Sequence, residues 1–396
     1  MPILTPQRLI MLVFFLQPIA FGSWLPRIPE VQAGLGLGPA ALALALLGMP
    51  LGTLLTLPFA GPLVGKIGAR RTIVAGFVYY ALAVSLPALA PDPIVLFVAL
   101  MFAGSAISFL ELGLNVGADA VEKSTGMLIM TKSHGFWSIG IMVGSLIGSG
   151  MAGLGIAPPW AIIAVALLTL PMGIATGMAM PRLEGEQQVS DAPQRSAWSL
   201  PSPALIGVCL FVFGITMTEG AMADWSAIFL RDALSAEGGV VGLGYSVFAL
   251  MVAAGRFGGD SLKARLGAVN TARLCGTLAV AGATLLYFAP NVTLALIGFG
   301  TIGFGVSVGF PLAVTAAAGI GDRAASANVA VLSFVALTGF LIGPPMIGFV
   351  AEHSDIRLGV ACVVPFLLVS LVLAGRLKSR PIARPHNPEA DIPGVL

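Results

Sequence analysis

Apolar stretches long enough to cross a bilayer recur twelve times along the chain. They fall at roughly 8–27, 39–63, 73–90, 94–118, 133–156 and 159–180 and, after a polar interval, at 203–229, 239–259, 269–289, 292–318, 325–350 and 357–376. A spanning helix needs about 20 predominantly apolar residues, and 396 residues shared among twelve crossings leave 33 for each helix and its loop. The runs are continuous rather than alternating, which excludes an outer-membrane barrel, and open sheet edges do not survive in hydrocarbon. Only 10% of the residues are charged, whereas soluble domains carry about 25%. Such a chain cannot coat a water-facing surface of its own size. The expected fold is an all-α membrane protein with twelve transmembrane helices.

The spans fall into a half at 1–180, a cytoplasmic linker at 181–202, a second half at 203–377 and a disordered cytoplasmic tail at 378–396. Glu184, Glu186, Asp191 and Arg195 make the linker polar, and Pro381, Pro385, Pro388 and Pro393 break the tail. The first span is too long for a signal-peptide core and lacks a clean cleavage site, so it is read as a retained helix. With the N-terminus inside, the outer loops hold only Arg27, Arg231 and Arg357 of the twenty Lys and Arg residues. The inner side holds the rest, led by Lys66, Arg70, Arg71, Lys263, Arg265, Arg273, Arg376, Lys378 and Arg380. That asymmetry predicts both termini in the cytoplasm.

Other functional classes lack their residues. The net charge is +2 and no run of five like charges occurs, so a nucleic-acid partner has no electrostatic footprint. Cys209, Cys275 and Cys362 stand singly in apolar runs, with neither the spacing nor the histidines of a metal site or a disulfide framework. No HExxH, GxSxG or Walker sequence is present, and Gly258-Gly259-Asp260 follows no strand. A membrane enzyme or a pore is the least favoured reading, since no catalytic pair or charged ring is visible. The expectation is a secondary transporter, not an enzyme, without cofactor, working as a monomer on a small-molecule substrate in the lipid bilayer.

Three internal matches support a duplication. Lys66-Ile-Gly-Ala69 matches Arg265-Leu-Gly-Ala268 at an offset of 199. Gly144-Ser-Leu-Ile-Gly148-x-x-Met151-x-Gly153 matches Gly339-Phe-Leu-Ile-Gly343-x-x-Met346-x-Gly348 at 195, and Ser23-Trp24 matches Asp224-Trp225 at 201. Each offset is near half the chain. Two pseudo-symmetric six-helix halves, both starting inside, put the pseudo-two-fold axis along the membrane normal with a cavity between them. Small residues on spans 5, 8 and 11 are read as packing residues that let helices approach closely.

Gly61-Pro-Leu-Val-Gly65-Lys66-Ile-Gly68-Ala-Arg70-Arg71, after span 2, resembles the GxxxD(R/K)xGR(R/K) motif of the major facilitator superfamily. The resemblance extends over the twelve-helix plan and implies alternating access driven by an ion gradient. It also implies a cytoplasmic gate built from Lys66, Arg70 and Arg71 and, in the second half, Arg256, Asp260 and Arg265. The family's acid is Gly65 here, which leaves Asp260 with Arg265 to contribute more to closure. Phe14-Phe-Leu-Gln17 to Ser23-Trp24, Asn115, Ile129-Met130 to Ser138 and Asp224-Trp225 resemble the YbjJ-like group of bacterial inner-membrane members, which implies that membrane. Glu111-x-x-x-Asn115 is similar to a signature of fucose/proton symporters, although span 1 offers Gln17 where those carry an acid.

The candidate proton and substrate residues are Gln17, Trp24, Glu111, Asn115, Glu219, Asp224 and Trp225. An ionised side chain deep in a bilayer costs about 2.5–3.5 kcal/mol on insertion scales, so it faces a wet cavity or has a partner. Glu111 lies about 25 Å from the outer end of span 4, at 1.5 Å per residue, just past the midplane. No Lys or Arg is expected at that depth. Glu111 is therefore a proton carrier or a neutral acid bonded to Asn115. Glu219 is expected in the outer half of span 7. Asp224, further out, contacts solute or gate, or pairs at the surface with Arg231 or Arg27. Trp24 and Trp225 are either interfacial belt aromatics or stacking platforms. Gln17 offers a donor and an acceptor. His134, near Asp119 and Glu122, is a helix-start residue bonded to span 4 or a pH-sensitive gate. Proton-coupled symport of a small polar solute, a sugar or a sugar-like metabolite, is favoured over efflux antiport. Drug antiporters carry Gly-Pro late in span 5, where this chain has Gly148-Ser149, and the pair occurs instead as Gly343-Pro344.

Overall fold

The computed structural model describes residues 4–181 and 201–378. Nearly all of the expected linker and tail lie outside the described residues. The helices are α1 (Pro6–Trp24), α2 (Ile28–Gly34), α3 (Pro39–Leu46), α4 (Gly48–Ile67), α5 (Ala69–Ser85), α6 (Pro93–Thr125), α7 (Met130–Gly153) and α8 (Pro158–Ala179) in the first half. The second half has α9 (Pro203–Leu234), α10 (Leu243–Phe288), α11 (Val292–Val306), α12 (Gly309–Ala318), α13 (Ala325–His353), α14 (Ile356–Ala361) and α15 (Val363–Leu373). Several spans are built from two such pieces in line.

Eleven of the resulting helical segments are long and apolar enough to cross a membrane, and one of them, Gly238–Phe288, has 51 residues. It crosses twice. Its backbone turns at Gly267 (φ 77, ψ 163), and both limbs flank α11: Gly303 abuts the Phe248 carbonyl while Gly305 abuts Ala279. The protein is thus an all-helical, multi-pass membrane protein with twelve crossings. Gly68 joins α4 to α5 with nearly the same dihedrals (φ 80, ψ 157). That region is essentially closed to any residue with a Cβ. The Lys66–Ala69 and Arg265–Ala268 match is therefore one bend used twice. Asp92 and Asn291, also 199 residues apart, both cap helix starts, accepting from Val95 N at 2.9 Å and Leu294 N at 3.0 Å.

The second match has a packing reason. Gly140, Gly144 and Gly148 of α7 lie against the Phe15, Ile19 and Ser23 carbonyls of α1, where a Cβ would collide with backbone. Gly339 and Gly343 of α13 lie in the same way against Phe213 and Met217 of α9. Small residues four apart let two backbones touch where no aqueous driving force presses them together.

Arg27, Arg231 and Arg357 gather at one end of the bundle, here the Arg27 end. Arg27 is fully buried, reaching the Gly148 and Ile156 carbonyls and Glu30. Arg357 donates to the Tyr287, Ala289 and Ala233 carbonyls. The two halves are bolted together here. Arg231 of α9 donates to Pro29 O at 2.8 Å and to Gln32 Oε1 at 2.7 Å, and Glu352 of α13 accepts from Ala40 N at 3.1 Å. Ser246 of α10 donates to Ser145 of α7 at 2.9 Å. Gly68, Gly126 and Gly267 mark the opposite end. Every hydrogen bond between two described residues across the halves lies at the Arg27 end or at the level of Arg256 and Ser138.

Candidate functional site

A cavity of about 250 Å³ lies between the halves. Its walls are mostly apolar, with Phe21, Trp24, Trp137, Phe248 and Phe340 among them, and its polar groups are few: Gln17, Thr53, Ser138, Glu219, Asp224, Tyr245 and Arg256. Convergent polar groups on an apolar, aromatic wall are what a small-molecule site requires.

Two consecutive residues of α7 hold the polar pole. Trp137 Nε1 donates to Gln17 Oε1 of α1 at 2.8 Å. An indole nitrogen can only donate, so this contact fixes which end of the Gln17 amide is oxygen. Gln17 is 1% exposed, and its nitrogen is not among the buried atoms left without a partner. The amide NH₂ is consequently the part of Gln17 that meets the cavity. Ser138, the next residue, accepts from Arg256 Nη1 of α10 at 2.8 Å and donates to the His134 carbonyl at 3.1 Å. Arg256 Nη2 stands 3.6 Å from Glu219 Oε1 of α9, with both side chains mostly buried. That is an ion pair without a hydrogen bond, so part of the guanidinium fork stays open to the cavity.

Arg256 was expected at the cytoplasmic gate and sits in the cavity instead. The first limb of α10 runs on to Gly267, which leaves Arg256 eleven residues, about 16 Å, short of the turn. This also corrects the expectation that no cation lies near Glu111. Glu111 of α6 is within electrostatic reach of Arg256, which thus interacts with an acid of each half. Glu111 and Asn115 are not among the cavity's lining side chains, and no hydrogen bond between the two accompanies the electrostatic contact with Arg256.

Other residues take one of two alternatives. Asp224 lines the cavity, whereas Arg27 pairs with Glu30 and Arg231 with Asp232, so the surface pairing does not form. Trp24 and Trp225 are 2% and 0% exposed and are not belt aromatics. Trp24 faces the cavity, while Trp225 donates to the Pro344 carbonyl at 3.1 Å and ties α9 to α13. His134 packs edge-on against Phe14 of α1 at 5.2 Å, and its side chain makes no hydrogen bond to α6 among the described residues. The acids near it are engaged elsewhere: Asp119 with Lys123 at 2.7 Å, and Glu122 with the N–H groups of Ile129 and Met130. At the Gly68 end Arg70 donates to Met178 O, and Lys66, Arg71, Asp260 and Arg265 are exposed, with no ion pair among the described residues.

Trp137, Ser138 and Tyr245 complete the site without having been singled out for it. Trp137 lies three residues before Gly140, on the glycine-marked face of α7, a periodic signal that was legible. Tyr245 carried no such signal.

The profile of the Major Facilitator Superfamily matches residues 10–301. An MFS-type transporter of Yersinia pestis is 31% identical over 370 residues, covering 93% of this chain and 94% of that protein. The transporter y4wD of Sinorhizobium fredii is 30% identical over 382 residues, covering 95% and 99%. Among solved structures the fold is similar to a point mutant of the nucleoside transporter NupG, with a TM-score of 0.77 at 14% identity over 94% of this chain and 99% of that one. It is also similar to FucP in an outward conformation, with a TM-score of 0.64 at 17% identity over 95% and 99%.

Proposed function

Because the chain belongs to the Major Facilitator Superfamily and its relatives are transporters, we propose that it carries a small polar, sugar-like solute into the cell by proton-coupled symport. No cofactor enters this reading; the proton gradient supplies the energy, and a monomer holds the whole site. The observation that carries it is the cavity between the halves, where Glu219 and Asp224 face a solute-sized space beside Arg256. An acid in such a space can exchange its proton with whichever side the cavity faces.

The arginine asymmetry supports an inner-membrane orientation with both termini in the cytoplasm. In that orientation the bolted Arg27 end is periplasmic and the cavity is turned to the cytoplasm. Lys66, Arg70, Arg71, Asp260 and Arg265 then belong to a gate that is open in this conformation. Sugar-like chemistry is supported by the aromatic walls and by two structural neighbours, one a nucleoside transporter and one a fucose:proton symporter.

The test is a thermal-shift screen of purified protein against sugars, nucleosides and sugar acids. Uptake of the stabilising compound is then measured in proteoliposomes under an imposed pH gradient alone. Uphill accumulation that Glu111→Gln or Glu219→Gln abolishes, while exchange persists, is the expected result. Proton-driven movement in the opposite sense would establish efflux antiport instead. Accumulation that survives both substitutions would remove proton coupling from these acids.

A further inference from the structure

The cavity's polar groups are not interchangeable, and their arrangement narrows the solute. At one pole stand donors: the Gln17 amide NH₂, its orientation locked by Trp137, and the guanidinium of Arg256, anchored through Nη1 on Ser138. Glu219 faces the other Nη at 3.6 Å, near enough to neutralise it and too far to hydrogen-bond it. Nearer the Arg27 end, five residues or about 7.5 Å of helix rise from Glu219, Asp224 lines the same cavity without an ion-pair partner among the described residues. Asp224 can accept from hydroxyls, while Gln17 and Arg256 can donate to an oxyanion.

We propose that the solute is a hydroxylated carboxylate of the sugar-acid class, whose carboxylate replaces that of Glu219 on Arg256 and also accepts from the Gln17 amide. This rests on the transport reading above. A guanidinium binds a carboxylate best through two parallel N–H···O bonds, a geometry that Glu219 does not achieve here. The exchange balances in charge and protons. Glu219 takes one proton from the solution that the cavity faces and becomes a neutral carboxylic acid; one solute carboxylate then enters, so the cavity's net charge is unchanged. A phosphate ester would bring a second negative charge, and Arg256 is the one cation among the lining residues.

The groups that bear on Glu219 come from every neighbouring helix. Arg256 and Tyr245 on α10 act on Glu219 directly, Glu111 on α6 and His134 on α7 are coupled to it through Arg256, and Asp224 on α9 itself through Tyr245. From α13 the neighbour at this level is Phe340, which does not titrate. Glu219 is distinguished among these acids as the one in an ion pair with Arg256.

The experiment uses full-length protein in detergent and matched probes: glucuronate and gluconate against glucose, sorbitol and glucosamine. Binding is read calorimetrically at about pH 5.5 and about pH 8, either side of neutrality. The acids are expected to bind and the neutral and aminated probes not to. Affinity for the acids should fall by up to about tenfold per pH unit as pH rises, with uptake of one proton per ligand bound in weak buffer. Glu219→Gln should keep acid binding and lose that slope; Arg256→Lys should weaken binding and Arg256→Gln should erase the preference for acids. If a variant does not fold, wild-type proton uptake decides alone. Glucose or glucosamine binding as well as glucuronate overturns the proposal, as does a slope that survives Glu219→Gln, proton-independent acid binding, or no acid binding at all. A neutral sugar carried uphill by a pH gradient would sink this inference and leave the transport reading standing. Acid binding with proton uptake but without accumulation would do the reverse.

Discussion

The indole N–H of Trp137 on α7 donates to the amide oxygen of Gln17 on α1 at 2.8 Å. The bond turns an ambivalent amide into a pure donor toward the cavity. Trp137→Phe should free the amide to rotate and weaken solute binding by roughly three- to tenfold, the size of one hydrogen bond at about 0.5–1.5 kcal/mol. Gln17→Glu should weaken it further, because an acceptor then faces the cavity. Calorimetry on the two variants checks both, and unchanged affinity in Trp137→Phe would mean that Gln17 is no ligand.

The Arg27 end is closed by Arg231 on Pro29 and Gln32, and by Glu352 on the first N–H group of α3, that of Ala40. Charge-assisted bonds of this kind contribute about 1.5–3 kcal/mol each. Arg231→Met should therefore shift the population toward a state open at this end by tenfold or more, about 1.4 kcal/mol. A cysteine at Ala223, in a Cys362→Ser background, should react faster with an impermeant thiol reagent applied from that end. An unaltered labelling rate would show that the closure lies elsewhere.

Gly144 and Gly150 lie on the same helix and separate packing from propensity. A side chain at Gly144 would collide with the Ile19 carbonyl, while one at Gly150 meets nothing within 4 Å. Gly144→Val should cost about 1–3 kcal/mol through overpacking and lower the melting temperature. Gly150→Ala should leave it unchanged or raise it slightly. Equal effects would remove the glycine stripe as the cause of the α1–α7 contact.

Much of this architecture was legible because hydrocarbon leaves few options. The twelve apolar runs could only be helices, and the Gly68 and Gly267 repeat announced a shared bend. The site was less legible, for a reason visible at Arg256. Charge ended the expected eighth span near residue 259, but the helix continues to Gly267, and a shift of two turns carries an arginine from the gate into the cavity. Periodicity fixes the face of a helix well and the depth along it poorly. The same error hid the cation within electrostatic reach of Glu111. Trp24 and Trp225 show the converse: their position at span ends suggested an interface, but contacts between helices bury them, and single-sequence patterns do not contain those contacts.

Asp322, in the turn before α13, gives a pH dependence outside the membrane-spanning segments. Its carboxylate takes hydrogen bonds from Ser202, which caps α9, and from the buried Asn328 Nδ2 at 2.7 Å. These bonds, Ser202 foremost, hold its pKa below the ordinary aspartate value. A group whose folded pKa is depressed stabilises the protein above its unfolded pKa and loses that contribution as pH falls through the folded value. The wild type should therefore melt higher than Asp322→Ala at neutral pH, and the gap should close progressively below about pH 4. The side chain is fully exposed to solvent, so the gap should be small and shrink with added salt. A gap that stays constant down to the acid limit would mean that the bonds to Ser202 and Asn328 do not depend on the ionised form.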